Sequence, residues 1–212
     1  MAIAYKKQVD SDTEFALWKI EEKDEDLYKQ LQLDEAEKAY VEKLSLGKRH
    51  LHWLAVRVLL RTMLNTSEFI DCKIDAHGKP YLVKLPYHIS LSHSFDYAAV
   101  MMSRSGPVGI DIEQIREKVE RIAYKFLKPD ELTFISEAEP VKHLYAAWCA
   151  KEAVYKCFGQ KEVSFADNIS LKPFNFVLPG AVNAHLDKGD VHKEYQVHYL
   201  QYEDYMIGYV KG

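Results

Sequence analysis

The stretch PVGIDIEQI, residues 107–115, decides how this chain is organised. It is an apolar, β-like run carrying two acids, Asp111 and Glu113, one residue apart. In a strand, successive side chains alternate faces, so both acids project one way and Ile110 and Ile112 the other. Two ionised carboxylates that close repel each other, and partial burial adds to the cost. A divalent cation removes the conflict. Carboxylate oxygens suit Mg²⁺, which keeps some of its waters and usually shares its shell with a substrate phosphate. The alternative is an exposed strand end with Glu113 solvated or capping.

Working outward, the 212 residues, 48% of them hydrophobic, suffice for one large domain or two small ones. A formal net charge of −4 offers no global field for nucleic acid, so an anionic ligand requires a local basic site. The three cysteines make no disulfide framework. Cys149 and Cys157 fall ~12 Å apart on one helix, beyond bridging range, and Cys72 has no evident mate. A reducing cytosol is expected. The first ten residues contain no apolar leader-like core, and no run is long enough to span a membrane. The expectation is a cytoplasmic monomer without membrane or nucleic-acid partners.

The element pattern is a strand at 15–22, then helix over 26–64 with a break at Gly47. A turn follows at Gly78-Lys79-Pro80, and strands at YHISLSHS (87–94), YAAVMMS (97–103) and PVGIDIE (107–113). Helical stretches at 118–127, 130–138 and 139–158, the last ended by Gly159, precede strand candidates at 168–177, 181–187, 193–202 and 204–212. Each half therefore consists of a helical stretch followed by about three strands. The halves share this pattern but no sequence identity.

Two further clusters accompany the acids. In WCAKEAVYK, Glu152 and Lys156 lie one helical turn apart, the spacing of an ordinary surface ion pair. Trp148 and Tyr155 on an adjoining stripe imply that part of this helix is buried. A third carboxylate and a lysine there would complete a magnesium and phosphate site. In ISLSHS, Ser92, His93 and Ser94 end a strand, and no nucleophile elbow accompanies them, so a serine hydrolase is not indicated. Lys79 in HGKP and the GKRH run at 47–50 add cations.

Taken in order, GKRH, HGKP, SLSHS, VGIDIE, FLKPDEL and WCAKEAVYK resemble the Sfp-type 4'-phosphopantetheinyl transferases over roughly residues 45–160. That resemblance implies an α+β pseudodimer of two similar α/β halves, each a long helix packed on a mainly antiparallel sheet. Residues 1–105 would form the coenzyme A-binding half and 106–212 the metal-binding and carrier-docking half. It implies transfer of the phosphopantetheine arm of coenzyme A, the substrate, to a serine of an acidic apo acyl or peptidyl carrier protein. Adenosine 3',5'-bisphosphate would be released. Asp111, Glu113 and Glu152 would hold Mg²⁺, with Mn²⁺ as a substitute. Glu152 would also be the base and Lys156 would meet the pyrophosphate. Arg49, Gly78, Lys79, Pro80, Ser92 and His93 would bind coenzyme A. Ser90 stands where the family pattern has Asn, and Lys151 fits the motif without a role assignable from spacing.

Residues 116–128 form a basic amphipathic segment, and Arg121 and Lys125 within it are the candidate carrier-docking cations. By itself such a segment equally describes an ordinary helix with a solvated basic face. Two other classes compete. One is a Mg²⁺-dependent nuclease, although no basic stripe is present to track a phosphate backbone. The other is a non-catalytic module that grips coenzyme A or a carrier.

Overall fold

A computed structural model describes residues 3–44 and 47–212. Two strands open the chain, β1 (Tyr5–Asp10) and β2 (Thr13–Lys19). The long helical stretch expected over 26–64 is three helices, α1 (Asp24–Tyr28), α2 (Glu35–Lys43) and α3 (Lys48–Leu64). The part of that expectation on Ser45 and Leu46 lies outside the described residues. Asp34 and Glu37 close a reciprocal capping box that starts α2. A hairpin of β3 (Cys72–Ile74) and β4 (Pro80–Leu82) follows, then β5 (His88–Ser94), β6 (Tyr97–Ser103) and β7 (Val108–Gln114). The second set of helices is a 3-10 helix (Glu117–Lys125), α4 (Pro129–Leu132) and α5 (Pro140–Phe158). Strands β8 (Ile169–Leu171), β9 (Gly180–Lys188), β10 (Val191–Tyr202) and β11 (Tyr205–Lys211) complete the chain.

The fold is α+β with antiparallel sheets. One sheet has the order β1-β2-β6-β5 and a second the order β7-β11-β10-β9-β8. The expected order of helices followed by strands needs correction, because each sheet also takes strands that precede its helices. β1, mostly polar and half-buried, adds a strand to the expected pattern. The helix expected over 130–138 is a single four-residue turn, after which Ser136 N–H donates to His143 Nδ1. Of the strand expected at 168–177 only Ile169–Leu171 pairs. Pro173 brings no N–H to a ladder, and Phe174 and Phe176 instead pack around the His143 and Tyr199 rings.

Three apolar cores follow from strand alternation. In β2, Ala16 and Trp18 face the α3 side, with Leu54, Val58 and Leu59. Phe15 and Leu17 face the other way and join Ile110, Ile112 and Ile207 of the second sheet. The third core lies beneath α5 and contains Ala146, Ala150 and Val154 with Val197 and Met206. The molecule is thus layered as helix, sheet, sheet, helix, and β7 is buried on both faces. Among the described residues no helix is long and apolar enough to cross a membrane. All three cysteines are buried free thiols.

The seat of α5 depends on two missing side chains. A Cβ at Gly208 would lie 2.6 Å from the carbonyl oxygen of Cys149, and one at Gly109 would overlap the carbonyl oxygen of Ala153. The helix backbone therefore rests directly on β7 and β11. A second restraint is the Lys151–Glu131 ion pair, 2.6 Å apart, with side chains 0% and 2% exposed. Glu131 also accepts from the N–H of Leu171 and of Lys128, which ties α4, α5 and β8 together. Replacing Gly109 by Ala pushes the helix against backbone that no rotamer change relieves. We expect a loss of ~3 kcal/mol in chemical denaturation.

Candidate functional site

The edges of the two sheets, β5 and β7, run side by side with a constant offset of 20 residues. No backbone ladder joins them. Instead Ser90, Ser92 and Ser94, which alternate along β5, accept the N–H groups of Ile110, Ile112 and Gln114 at 3.0, 3.3 and 3.2 Å. Three hydroxyls therefore satisfy an edge that burial would otherwise leave unpaired. Each hydroxyl can also donate. Ser92 Oγ donates to Asp111 Oδ1 at 2.9 Å, and Ser94 Oγ donates to Glu113 Oε2 at 3.1 Å. Ser90 at the first rung, the departure from the family pattern, belongs to this same ladder.

Asp111 and Glu113 share a face of β7, as the alternation requires, and that face meets α5. Lys156 of α5 donates to Asp111 Oδ1 at 2.7 Å and to Ser92 Oγ at 2.9 Å. Asp111 Oδ2 is buried and has no hydrogen-bond partner. Glu152, one turn before Lys156, is half-buried. Its carboxyl is pushed up to about 7, first by burial, then by Asp111 against the opposing pull of Lys156, and then by Glu113. The Glu113 carboxyl is also raised, by burial and then by Asp111, with Ser94, Lys156 and Trp148 opposing. Burial alone would lower Lys156, but Asp111 and Glu152 outweigh it and hold the ammonium above its usual value.

Strand and helix thus bring Asp111, Glu113, Glu152 and Lys156 into one electrostatic group. Among the described residues no three His, Cys, Asp or Glu side chains are gathered tightly enough to cage an ion by themselves. The donor set nevertheless fits a hard cation. Mg²⁺ typically takes one or two protein carboxylates and completes its shell with water and phosphate. The free Oδ2 of Asp111 is such a donor, and two neighbouring acids already strained by like charge would lose that strain beside a cation.

The residues expected to bind coenzyme A divide into separate groups. Arg49, Pro80 and His93 line one cavity of about 610 Å³, whose wall also includes His52, Trp53 and Arg57. No motif marks these last three, although they follow Arg49 at helical spacing on α3. Arg57 stacks on Trp53 at 3.5 Å, and His93 stacks on His52 at 4.3 Å. Desolvation of its ring, with His52 and Lys156 nearby, pushes His93 down to about 4, so it is neutral at pH 7. Gly78 and Lys79 do not line this cavity. Gly78, at φ +91°, ends a turn whose Asp75 carboxylate accepts from His77 and Lys79 N–H. The Lys79 ammonium donates to the Cys157 carbonyl at 2.7 Å, where a cation favours the C-terminal end of α5. Ser92 is 6% exposed and fully engaged with Ile112, Asp111 and Lys156. Arg121 and Lys125 are exposed on the 3-10 helix, beside Tyr124 at 67% exposure.

With this geometry in view, the comparisons with known proteins are specific. Residues 107–210 match the model of the 4'-phosphopantetheinyl transferase superfamily. The chain is 30% identical over 116 residues to the 4'-phosphopantetheinyl transferase AcpT of Escherichia coli strain K12, covering 52% of this chain and 58% of that one. It is 32% identical over 95 residues to a 4'-phosphopantetheinyl transferase of Bacillus subtilis, covering 43% and 42%. It is 32% identical over 111 residues to the 4'-phosphopantetheinyl transferase gsp of Aneurinibacillus migulanus, covering 50% and 46%. The matched stretch spans about half the length of these curated relatives. Residues 107–210 are thus similar to the 4'-phosphopantetheinyl transferase superfamily, and the resemblance to its Sfp-type members read from the motifs holds.

The raised carboxyls fix the sign of a pH effect. Glu152 and Glu113 bind protons more readily folded than unfolded. Their contribution is therefore complete below the unfolded value of 4.5 and is lost as pH rises through the folded values, which for Glu152 is about 7. Without divalent cation, thermal stability should fall across that interval, and Glu152→Gln should flatten the fall.

Proposed function

We propose that this protein transfers the 4'-phosphopantetheine arm of coenzyme A to a serine of an apo acyl or peptidyl carrier protein, releasing adenosine 3',5'-bisphosphate. The observation that carries the proposal is the buried, unpartnered Asp111 Oδ2 beside Lys156 and the proton-retaining Glu152. The names of the curated relatives support a transferase over a nuclease or a non-catalytic module.

In this proposal Asp111, Glu113 and Glu152 hold Mg²⁺, with Mn²⁺ as a substitute. Bound there, the metal supplies neutralisation of charge on the pyrophosphate oxygens. The carrier serine Oγ forms a bond to the phosphorus that bears the pantetheine. The bond from that phosphorus to the bridging oxygen breaks, and the bisphosphate departs. Glu152 accepts the serine proton, directly or through water. Lys156 places its ammonium against the pyrophosphate and stabilises the leaving oxygen. Arg49, His93 and Pro80, in the cavity of α3 and β5, hold the nucleotide end of coenzyme A. Gly78 and Lys79 act one step removed, by anchoring the β3–β4 hairpin against α5.

The two helix-backed sheets support a further part of the proposal, that the molecule is a pseudodimer of halves 1–105 and 106–212 with the site at their seam. Three buried free thiols favour a reducing, cytoplasmic setting, and we propose that the protein acts as a monomer. Exposed Arg121 and Lys125 offer charge to an acidic carrier.

Incubation of apo carrier with coenzyme A, Mg²⁺ and this protein should add the mass of one phosphopantetheine. Asp111→Ala or Glu152→Ala should slow that gain by about 10²-fold or more. No mass gain over a panel of carriers would overturn the proposal. Reversing Arg121 and Lys125 to Glu should raise the KM for carrier about tenfold and leave that for coenzyme A unchanged. An unchanged carrier KM at low salt would remove these two residues from the docking site.

A further inference from the structure

The family resemblance gives Ser92 to coenzyme A, but its hydroxyl has little left to offer a ligand. It is 6% exposed, accepts from Ile112 N–H at 3.3 Å and Lys156 Nζ at 2.9 Å, and donates to Asp111 Oδ1 at 2.9 Å. Lys156 meets the same Oδ1 at 2.7 Å. Ser92, Lys156 and Oδ1 thus form a closed triangle of hydrogen bonds, and the carboxylate cannot turn without breaking two of them. The other oxygen, Oδ2, is buried and unpartnered.

We propose that Ser92 is a positioning residue: it clamps Asp111 Oδ1 to the seam between the sheets and so reserves Oδ2 as the oxygen that meets the cation. A ligating carboxylate held by an outer hydrogen bond is already oriented when the ion arrives. Because the same Oγ also satisfies the edge of β7 through Ile112, the aim of Asp111 is coupled to the seating of one sheet edge against the other. Ser94 repeats the arrangement one rung on, with Glu113 Oε2 and Gln114 N–H. Ser90 carries only the structural half, since its contact is with Ile110 N–H and reaches no carboxylate. The three serines therefore provide an internal comparison.

This inference rests on the proposed transferase reading and is separable from it. The experiment measures Mn²⁺ affinity by proton relaxation with coenzyme A present and carrier absent, alongside the kinetics of transfer. Ser92→Ala should weaken Mn²⁺ binding by about tenfold or more and lower kcat, with the KM for coenzyme A moved less than twofold. Ser92→Thr keeps the hydroxyl and should restore both. Ser90→Ala should lower the melting temperature and leave Mn²⁺ affinity intact. A rise in coenzyme A KM with unchanged Mn²⁺ affinity would make Ser92 a coenzyme ligand and overturn the inference. Equal loss of Mn²⁺ binding in the Ser90 and Ser92 variants would also overturn it, by tracing the effect to the seam as a whole. A wild-type protein that binds no Mn²⁺ and modifies no carrier would remove the transferase reading itself.

Discussion

The structure depends on how two sheet edges meet without a shared backbone ladder. A buried edge strand has unpaired N–H groups, and each costs free energy comparable to a lost hydrogen bond. Here β5 presents a hydroxyl at every second residue, and the opposed β7 edge donates into those hydroxyls. A hydroxyl that accepts can still donate, so the groups that close the seam also reach the acids lying next to it. Fold and site are therefore built from the same atoms.

The second constraint is the closeness of α5 to the acid-bearing strand. Gly109 and Gly208 let the helix backbone touch the sheet, and the buried Lys151–Glu131 pair fixes its far side. Truncating one partner of such a pair leaves an uncompensated charge, so it fixes position more reliably than it stabilises. From that seat Lys156 reaches Asp111 while Glu152 remains half-buried among like charges. Desolvation and then repulsion raise the Glu152 carboxyl to about 7. In the proposed reaction this carboxylate would take the proton of the attacking hydroxyl, and the ammonium would meet the pyrophosphate. No single element contains this chemistry. It arises where strand, serine ladder and helix converge.

Much of this is legible in the sequence, for local reasons. The period of two in GIDIE places Asp111 and Glu113 together, and the four-residue spacing of Glu152 and Lys156 places them on one helix face. Helix α5, with Pro140 at its start and Gly159 at its end, carries ordinary boundary signals. β1 is hard to read because only Tyr5 and Val9 of its six residues are apolar, and the expected strand at 168–177 is shortened by Pro173 despite the β-rich composition around it. The 3-10 conformation of Glu117–Lys125 left no distinct mark, since its apolar residues also fit an α-helical stripe. Glu131 carries no local signal of its role, because its partner Lys151 lies 20 residues away.

The sequence alone therefore determined which residue types stand at which periodic positions, and with them the acids, the lysine, the two long helices and the family they resemble. Tertiary structure alone decided which of those groups touch. It turned Lys79 toward the end of α5, joined Arg49 and His93 around one cavity with Trp53 and Arg57, and enclosed Ser92 between Asp111 and Lys156. The physical reason is that periodicity specifies a face, whereas a hydrogen bond also requires a distance. That distance is set by the packing of two sheets and a helix whose contacting residues lie far apart along the chain.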